Sequence, residues 1–169
     1  PPYSSAASDV YKRQVLIQSI KQNMDIPMIA AGGIIDGAGM AAIFAAGAEG
    51  IQMGTRFVSS KESPVHNNFK NKILESGIDG TLVLNKTSKP VIRALKSKLT
   101  HDINLKGQMD MSSMLKIQDL YFKGDMEAAP ALSGQSSGLI NEIKTVKEII
   151  DETIKEFNII CKKMGDISF

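Results

Sequence analysis

The sequence is poor in cysteine and in aromatic residues. Its 169 residues include one cysteine, Cys161, no tryptophan, and an aromatic content of 5%. A single cysteine excludes an internal disulfide framework, which is typical of proteins in a reducing cytoplasm, and the cytoplasm is therefore the expected location. Cys161 follows Phe157 by one helical turn on a predicted helix, so we interpret it as a packing or edge thiol rather than a nucleophile.

An excess of one charge and long apolar runs are also lacking. The formal net charge is only +2, so we expect no nucleic-acid partner. No apolar run approaches the roughly 18–20 residues of a membrane span, and we expect no membrane association. We expect no metal site. The composition, 43% hydrophobic and 22% charged, is that of one globular domain or of part of a larger one.

The first residues, PPYSSAASDVYKRQ (1–14), have no helical or strand periodicity. They resemble translated sequencing-adapter read-through, so we exclude residues 1–14 from the fold as a non-native tail. On this hypothesis the authentic chain begins near Val15 and lacks the protein's upstream part. The alternative is an ordinary disordered tail.

Glycine is concentrated in one stretch, AAGGIIDGAGMAAIFAAGAEGIQMGTRF. The pattern predicts a buried strand over Met28–Ala31, apolar on both faces, then a helix opened by Asp36 and ended by Gly47. EGIQMGTRFV (49–58) is predicted to be a second buried strand. A strand, a helix and a strand within about 30 residues form the βαβ unit of a parallel sheet.

After Ser60 the alternation of strand and helix ends. SPVHNNFKNKILESG predicts a helix with Ser63 as its N-cap, and TLVLNK predicts a short strand. The following segment is polar and irregular, with one helix predicted at about residues 112–122, and we interpret residues 61–130 as an inserted lid. The clearest helix comes last, and its predicted core-facing stripe is Ile143, Val146, Ile150, Ile154, Phe157 and Ile160.

The ends of the two predicted strands are suited to an anion. Gly32 and Gly33 follow the first strand, and Gly54 with Thr55 ends the second. In parallel α/β proteins ligands sit at the carboxyl ends of strands, and glycine lets backbone N–H groups approach them closely. Such N–H groups near a helix N-terminus suit phosphate. The remaining glycines of the stretch are interpreted as turn, cap and packing residues: Gly37, Gly39, Gly47 and Gly50.

Three segments together resemble the nitronate monooxygenase and enoyl-ACP reductase II family: IPMIAAGGIIDGAGMAAIFAAGAEGIQMGTRFVSSKESPVHNNFKNKIL, PVIRALKSKLT and GDMEAAPALSGQSSGLI. The resemblance implies an α/β fold that is the C-terminal portion of a TIM (β/α)8 barrel with an inserted small lid domain. Residues 15–60 would hold the last strands of the FMN-binding barrel and 61–130 the lid. Residues 131–169 would return to the barrel and end in the amphipathic helix.

The resemblance also implies FMN as the cofactor. It assigns Gly33 and the tetrapeptide Gln52, Met53, Gly54 and Thr55 to FMN, mostly through its phosphate, and Gly32 is expected to join through its backbone.

The family's catalytic histidine lies in a GGH or SGH motif, which this chain lacks, so we assign no catalytic residue. His66 is interpreted as a helix cap or surface residue, and His101 as a solvated residue of the lid.

Three functions stay open. The first is an enoyl-ACP reductase II of fatty-acid synthesis, in which NAD(P)H reduces FMN and FMN reduces a 2-enoyl thioester, free or bound to an acyl carrier. Arg93, Lys96 and Lys98 could then face phosphates, although a solvated basic face explains each of them too. The second is a nitronate monooxygenase that oxidises alkyl nitronates with O2. The third is a truncated, non-catalytic fragment with an exposed strand edge. A homodimer is one assembly to consider.

Overall fold

The computed structural model describes residues 10–87 and 89–167, which have mixed α and β structure. The helices are α1 (Val10–Asn23), α2 (Gly37–Ala45), α3 (Thr55–Val58), α4 (Asn67–Glu75), α5 (Lys98–Lys106) and α6 (Val146–Gly165). The strands are β1 (Ile29–Ala31), β2 (Gly50–Gln52), β3 (Thr81–Leu84) and β4 (Ile92–Leu95). Short 3₁₀ segments lie at Met111–Met114 and Gln135–Leu139, and a π-helical turn lies at Asp119–Lys123.

The predicted βαβ unit is confirmed. β1 and β2 pair in parallel, with Ala31 opposite Gln52, and α2 connects them. Asp36 is the N-cap of α2, and its side chain accepts a hydrogen bond from the Gly39 N–H at 2.8 Å. Gly47 follows the helix with a φ of +110°, a conformation that favours glycine, as predicted.

Two details of this unit differ from the prediction. β2 ends at Gln52, and Thr55–Val58 forms the short helix α3 instead of extending the strand. β1 is not covered on both faces, because the side chain of Ile29 is 69% exposed. Among the described residues β1 has only β2 as a neighbouring strand, and so its other edge is free.

Helix α1 begins at Val10, within the predicted tail. Residues 10–14 are therefore helical in the structure, although the sequence pattern indicates no helix there. Residues 1–9 of the predicted tail lie outside the described ranges. Ile17 of α1 is 4% exposed and packs in an apolar cluster with Ala30, Ile34 and Ala48.

The region predicted to be an inserted lid contains more regular structure than expected. β3 and β4 form an antiparallel pair, with Thr81 opposite Leu95, and α5 follows directly. Ser97 begins α5 through a capping box in which Thr100 is the reciprocal partner. Neither β4 nor α5 was predicted. The helix predicted near residues 112–122 is replaced by the 3₁₀ segment and the π-helical turn.

Helix α4 begins at Asn67, not at Ser63. His66 is its N-cap, and its Nδ1 accepts a hydrogen bond from the Asn68 N–H at 3.1 Å. The backbone oxygen of Ser63 instead accepts from the buried ammonium group of Lys70 at 2.8 Å. The predicted role of His66 as a cap is confirmed.

The helix α6 is present as predicted, but its buried face is rotated. Ile149 and Thr153 are buried, whereas Ile150 and Ile154 are 41% and 49% exposed. The reason is a close crossing with α2, where a methyl group on Gly37 would lie 2.5 Å from the backbone oxygen of Thr153. A small polar residue therefore occupies the centre of the buried face.

The largest apolar cluster lies between α4, β4, the π-helical turn and the segment before α6. Its buried members are Ile35, Phe69, Ile73, Leu95, Leu120, Ala129, Ala131 and Ile140. Within the described parts of the chain, no helix is both long and apolar enough to cross a membrane.

Candidate functional site

The ends of β1 and β2 lie side by side, as the sequence predicts. The Gly32 N–H donates to the Gln52 backbone oxygen at 3.3 Å, one step beyond the paired residues Ala31 and Gln52. Gly32 and Gly33 have φ values of +85° and +70°, in the left-handed region that favours glycine. The chain therefore turns sharply after β1. Gly33 directly follows Gly32, whose hydrogen bond to Gln52 is the last one between the two strands.

Several backbone donors at these strand ends are unpaired. The N–H groups of Gly33, Gly54 and Thr55 meet no hydrogen-bond acceptor in the described residues. All three residues are at least partly exposed, so a ligand or water can reach them. Converging free N–H groups form an anion-binding arrangement, and phosphate accepts several such bonds.

The position of Gly54 is open. A methyl group built on Gly54 would meet no heavy atom within 4 Å, beyond its chain neighbours. The φ of Gly54 is −99°, which residues other than glycine also adopt. Neither packing nor backbone conformation therefore requires glycine here, and close approach of a ligand is the remaining physical reason for it.

A third segment meets the end of β2. The Gly134 N–H donates to Thr55 Oγ1 at 3.0 Å, which leaves the Thr55 hydroxyl hydrogen available to donate elsewhere. A methyl group on Gly134 would lie 3.4 Å from Thr55 Oγ1 and 3.5 Å from Ser136 Oγ. This segment is part of GDMEAAPALSGQSSGLI, which carries the family resemblance, but no site residue was predicted in it. The glycine–serine composition of SGQSSG was the available signal.

At the N-terminus of α2, two of the backbone N–H groups are already bonded to carboxylates. The Gly37 N–H donates to Glu156 Oε2 at 2.8 Å, and the Gly39 N–H donates to Asp36 at the same distance. The carboxylates of Glu156 and Asp36 therefore occupy two of the N–H groups, and their negative charge disfavours a further anion at this helix end. A phosphate at the strand ends would depend on the N–H groups of Gly33, Gly54 and Thr55.

The predicted tetrapeptide contributes mainly through its backbone. Met53 packs its side chain against the apolar cluster that includes Ile17 and Ala30. Gln52 is exposed at the last position of β2. The hydroxyl of Thr55 is the one side-chain donor that the hydrogen bonds place beside the strand ends. The N–H of Gly32 is already used in pairing with β2, so Gly32 supplies conformation rather than a donor.

Arg56 follows this tetrapeptide but is engaged elsewhere. Its side chain is buried, and Nη1 donates to the Glu142 backbone oxygen at 2.9 Å. Burial lowers the pKa of the Arg56 guanidinium, while the carboxylates of Glu142 and Glu152 raise it. Arginine remains protonated in proteins, so this charge stabilises the contact with the segment before α6. A cavity of about 160 Å³ lies there, and its charged lining residues are Asp36, Arg56, Glu142, Lys144, Glu152 and Glu156.

The region predicted to be a lid is linked to the candidate site through β4. The Ser133 N–H donates to the Arg93 backbone oxygen at 3.2 Å, and Ala94 forms a bridge with Leu132. The Arg93 guanidinium donates to Thr81 Oγ1 at 2.9 Å. Lys96 and Lys98 are exposed, which fits the interpretation of a solvated basic face.

The two histidines do not form a catalytic group. His66 caps α4, and a methyl group on Gly124 would lie 2.2 Å from its Nδ1. His101 is exposed on α5, as predicted. Cys161 is an exposed free thiol, which fits the edge interpretation. Among the described residues no group of three His, Cys, Asp or Glu side chains could hold a metal ion.

Comparisons with known proteins identify the family of this chain. The family "Nitronate monooxygenase" matches residues 5–156. A "Probable nitronate monooxygenase" of Staphylococcus saprophyticus is 30% identical over 88% of this chain and 43% of its own length. A dehydrogenase of Rhodococcus jostii, whose printed name specifies an octahydro-indene-carboxyl-CoA, is 28% identical over 84% of this chain and 53% of its own length.

Solved structures are also similar. FabK from Thermotoga maritima has a TM-score of 0.83 and 38% identity over 92% of this chain and 52% of that chain. Nitroalkane oxidase from Streptomyces ansochromogenes has a TM-score of 0.77 at 21% identity, a likeness of fold alone, and covers 90% of this chain and 45% of that chain. The chain thus spans about half the length of the relatives it matches. Because the family match covers most of its residues, the chain belongs to the nitronate monooxygenase family.

Proposed function

We propose that this chain is the FMN-phosphate-binding portion of a flavin-dependent oxidoreductase. The family and its structural neighbours are flavin-dependent oxidoreductases. The single observation that supports the site is the set of unpaired N–H groups at two adjacent strand ends, with an open position at Gly54. A phosphate needs several donors and a close backbone approach, and the residues present fit both requirements.

The proposed roles follow the hydrogen bonding. The N–H groups of Gly33, Gly54 and Thr55 and the Thr55 hydroxyl bind the FMN phosphate. Gly32 holds the turn that presents Gly33, and Gln52 and Met53 fix the end of β2 through pairing and packing. When bound, FMN supplies hydride or electron transfer, and this chain's residues orient it. None of the described histidines contributes to the reaction in this proposal.

The proposed architecture is the end of a (β/α)8 barrel. The parallel pair β1 and β2, the connecting α2 and the packing of α6 on α2 support residues 15–60 and 131–169 as its last strands and closing helix. The separate antiparallel pair β3 and β4 supports residues 61–130 as an inserted lid. The free edge of β1 is where a preceding barrel strand would pair.

Among the activities of this family we favour enoyl-ACP reductase II. Its support is the 38% identity and TM-score of 0.83 with FabK, together with a relative whose printed name specifies a CoA thioester. NAD(P)H would then be the reductant and a 2-enoyl thioester the substrate. The second candidate is a nitronate monooxygenase, supported by the family match and the relative from Staphylococcus saprophyticus.

An activity comparison on the protein that contains this chain separates the two. A reductase oxidises NADH or NADPH when crotonyl thioester is added, and it consumes little O2 with a nitronate. A nitronate monooxygenase consumes O2 with the nitronate and needs no nicotinamide. The same assays on the 169-residue chain alone test the third alternative, because neither activity and no bound flavin would support a non-catalytic fragment.

A further inference from the structure

We infer that Ser136 is a further phosphate-binding residue of the proposed flavin site, and that Gly134 is glycine because the phosphate passes beside it. This inference rests on the proposed function. Both residues lie far along the chain from the end of β2, since 79 positions separate Gly134 from Thr55.

The Ser136 hydroxyl lies close to the backbone of Gly134. The point where a Gly134 methyl group would lie is 3.4 Å from Thr55 Oγ1 and 3.5 Å from Ser136 Oγ. The two hydroxyl oxygens therefore flank one small space. The bond of 3.0 Å from the Gly134 N–H to Thr55 Oγ1 holds this segment against the end of β2.

The Ser136 hydroxyl lacks a hydrogen-bond partner among the described residues. Ser136 is 9% exposed, yet its Oγ makes no hydrogen bond to another described residue. Its oxygen is not fully enclosed, unlike the unpaired Oγ atoms of Ser133 and Ser137. A buried residue with an unpaired but accessible hydroxyl is costly unless a ligand or water completes it.

The space between the two hydroxyls is suited to an anion. The hydroxyls of Thr55 and Ser136 border this space, and Thr55 also carries an unpaired backbone N–H. Hydroxyl and backbone N–H donors of this kind recognise a phosphate oxygen. A side chain at position 134 would fill the space between the two hydroxyls.

The test is the affinity of the 169-residue chain for FMN and for riboflavin, which lacks the phosphate. Ser136→Ala is expected to weaken FMN binding about tenfold or more, since a hydrogen bond to a charged group is lost, and to leave riboflavin binding unchanged. Gly134→Ala is expected to weaken FMN binding in the same selective way, because its methyl group enters the space between the hydroxyls.

Ser133→Ala is the matched control, because the Ser133 hydroxyl is unpaired but enclosed. It should bind FMN like the parent chain. Far-UV circular dichroism checks that each variant is folded.

Three outcomes would overturn the inference. Unchanged FMN binding by Ser136→Ala overturns the role of this hydroxyl while the proposed function stands. Equal weakening of FMN and riboflavin shows a structural role only. A parent chain with no preference for FMN over riboflavin overturns the proposed phosphate site and this inference together.

Discussion

At the scale of single residues, the glycines divide into those that packing requires and those that a ligand explains. A methyl group on Gly37 would lie 2.4 Å from the Phe157 backbone nitrogen, whereas one on Gly54 would meet nothing within 4 Å. Gly37 therefore serves the crossing of α2 and α6, and Gly54 serves the candidate site. Both lie in one glycine-rich stretch, in which the sequence analysis grouped Gly37 with the turn, cap and packing glycines and Gly54 with the ligand site.

This division predicts opposite phenotypes for two alanine variants. Gly37→Ala should lower the free energy of unfolding by about 1–3 kcal/mol, as overpacking does, because backbone atoms of α6 must move. Gly54→Ala should leave stability within about 0.5 kcal/mol and weaken FMN binding. Urea denaturation and flavin titration measure the two effects. A destabilised Gly54→Ala chain with normal FMN affinity would contradict the assignment of Gly54.

At the scale of elements, the N-terminus of α6 is a capping box whose strength depends on pH. The Thr145 N–H and hydroxyl both donate to Glu148 Oε2, at 2.7 and 2.8 Å. The pKa of Glu148 is lowered by the backbone hydrogen bond from Thr145, then by the side-chain hydrogen bond from Thr145, and then by the charge of Lys61. The folded carboxylate is thus favoured, so its stabilising effect is present above the ordinary glutamate pKa of about 4.3 and is lost as pH falls through the lower folded pKa.

We therefore expect the first turn of α6 to fray in acid below about pH 4.3. The Cα chemical shifts of residues 146–149 measure this fraying. In Glu148→Ala the turn should be frayed at neutral pH already and should show little further change. Lys147→Ala, on the same turn but outside the box, is the control and should keep the parent profile. An identical acid profile in Glu148→Ala would show that the box does not hold this turn.

A second expectation at this scale concerns the link between the lid and the site. β4 bonds to Ser133, and the next residue, Gly134, bonds to Thr55. Because phosphate binding would order Thr55 and Ser136, FMN should slow amide hydrogen exchange at Ser133 and Gly134 and extend that protection into β4. Riboflavin should leave the hydrogen exchange of these residues unchanged, because it lacks the phosphate. Protection confined to residues 54–55 would show that the lid is uncoupled from the site.

The elements also show what sequence patterns can and cannot predict. Asp36 as a cap and Gly47 as the residue after α2 are local signals, and both were predicted. α5 was missed because its capping box pairs Ser97 with Thr100 rather than with a glutamate or glutamine. The face of α6 was misassigned because Thr153, not an isoleucine, meets the close crossing at Gly37. Such a choice is set by a distant partner, which a single-helix pattern does not contain.

At the scale of the whole molecule, the described part of the chain leaves apolar side chains exposed. Ile29 on the free side of β1 and Ile150 and Ile154 on α6 are exposed. The chain spans about half of its relatives, which fits the proposal that further barrel elements cover this surface. The strand ends were predictable because the carboxyl ends of parallel strands meet. The contribution of Gly134 and Ser136 was not, because it depends on one long-range contact.

The central claim is that two adjacent strand ends, completed by Thr55, bind the phosphate of FMN. The most direct test is to titrate the purified chain with FMN and riboflavin and follow the quenching of flavin fluorescence. The account predicts saturable FMN binding at one site per chain, at least tenfold tighter than riboflavin, since several hydrogen bonds to a charged group are at stake. Equal affinity for both flavins, or no binding of either, would contradict it.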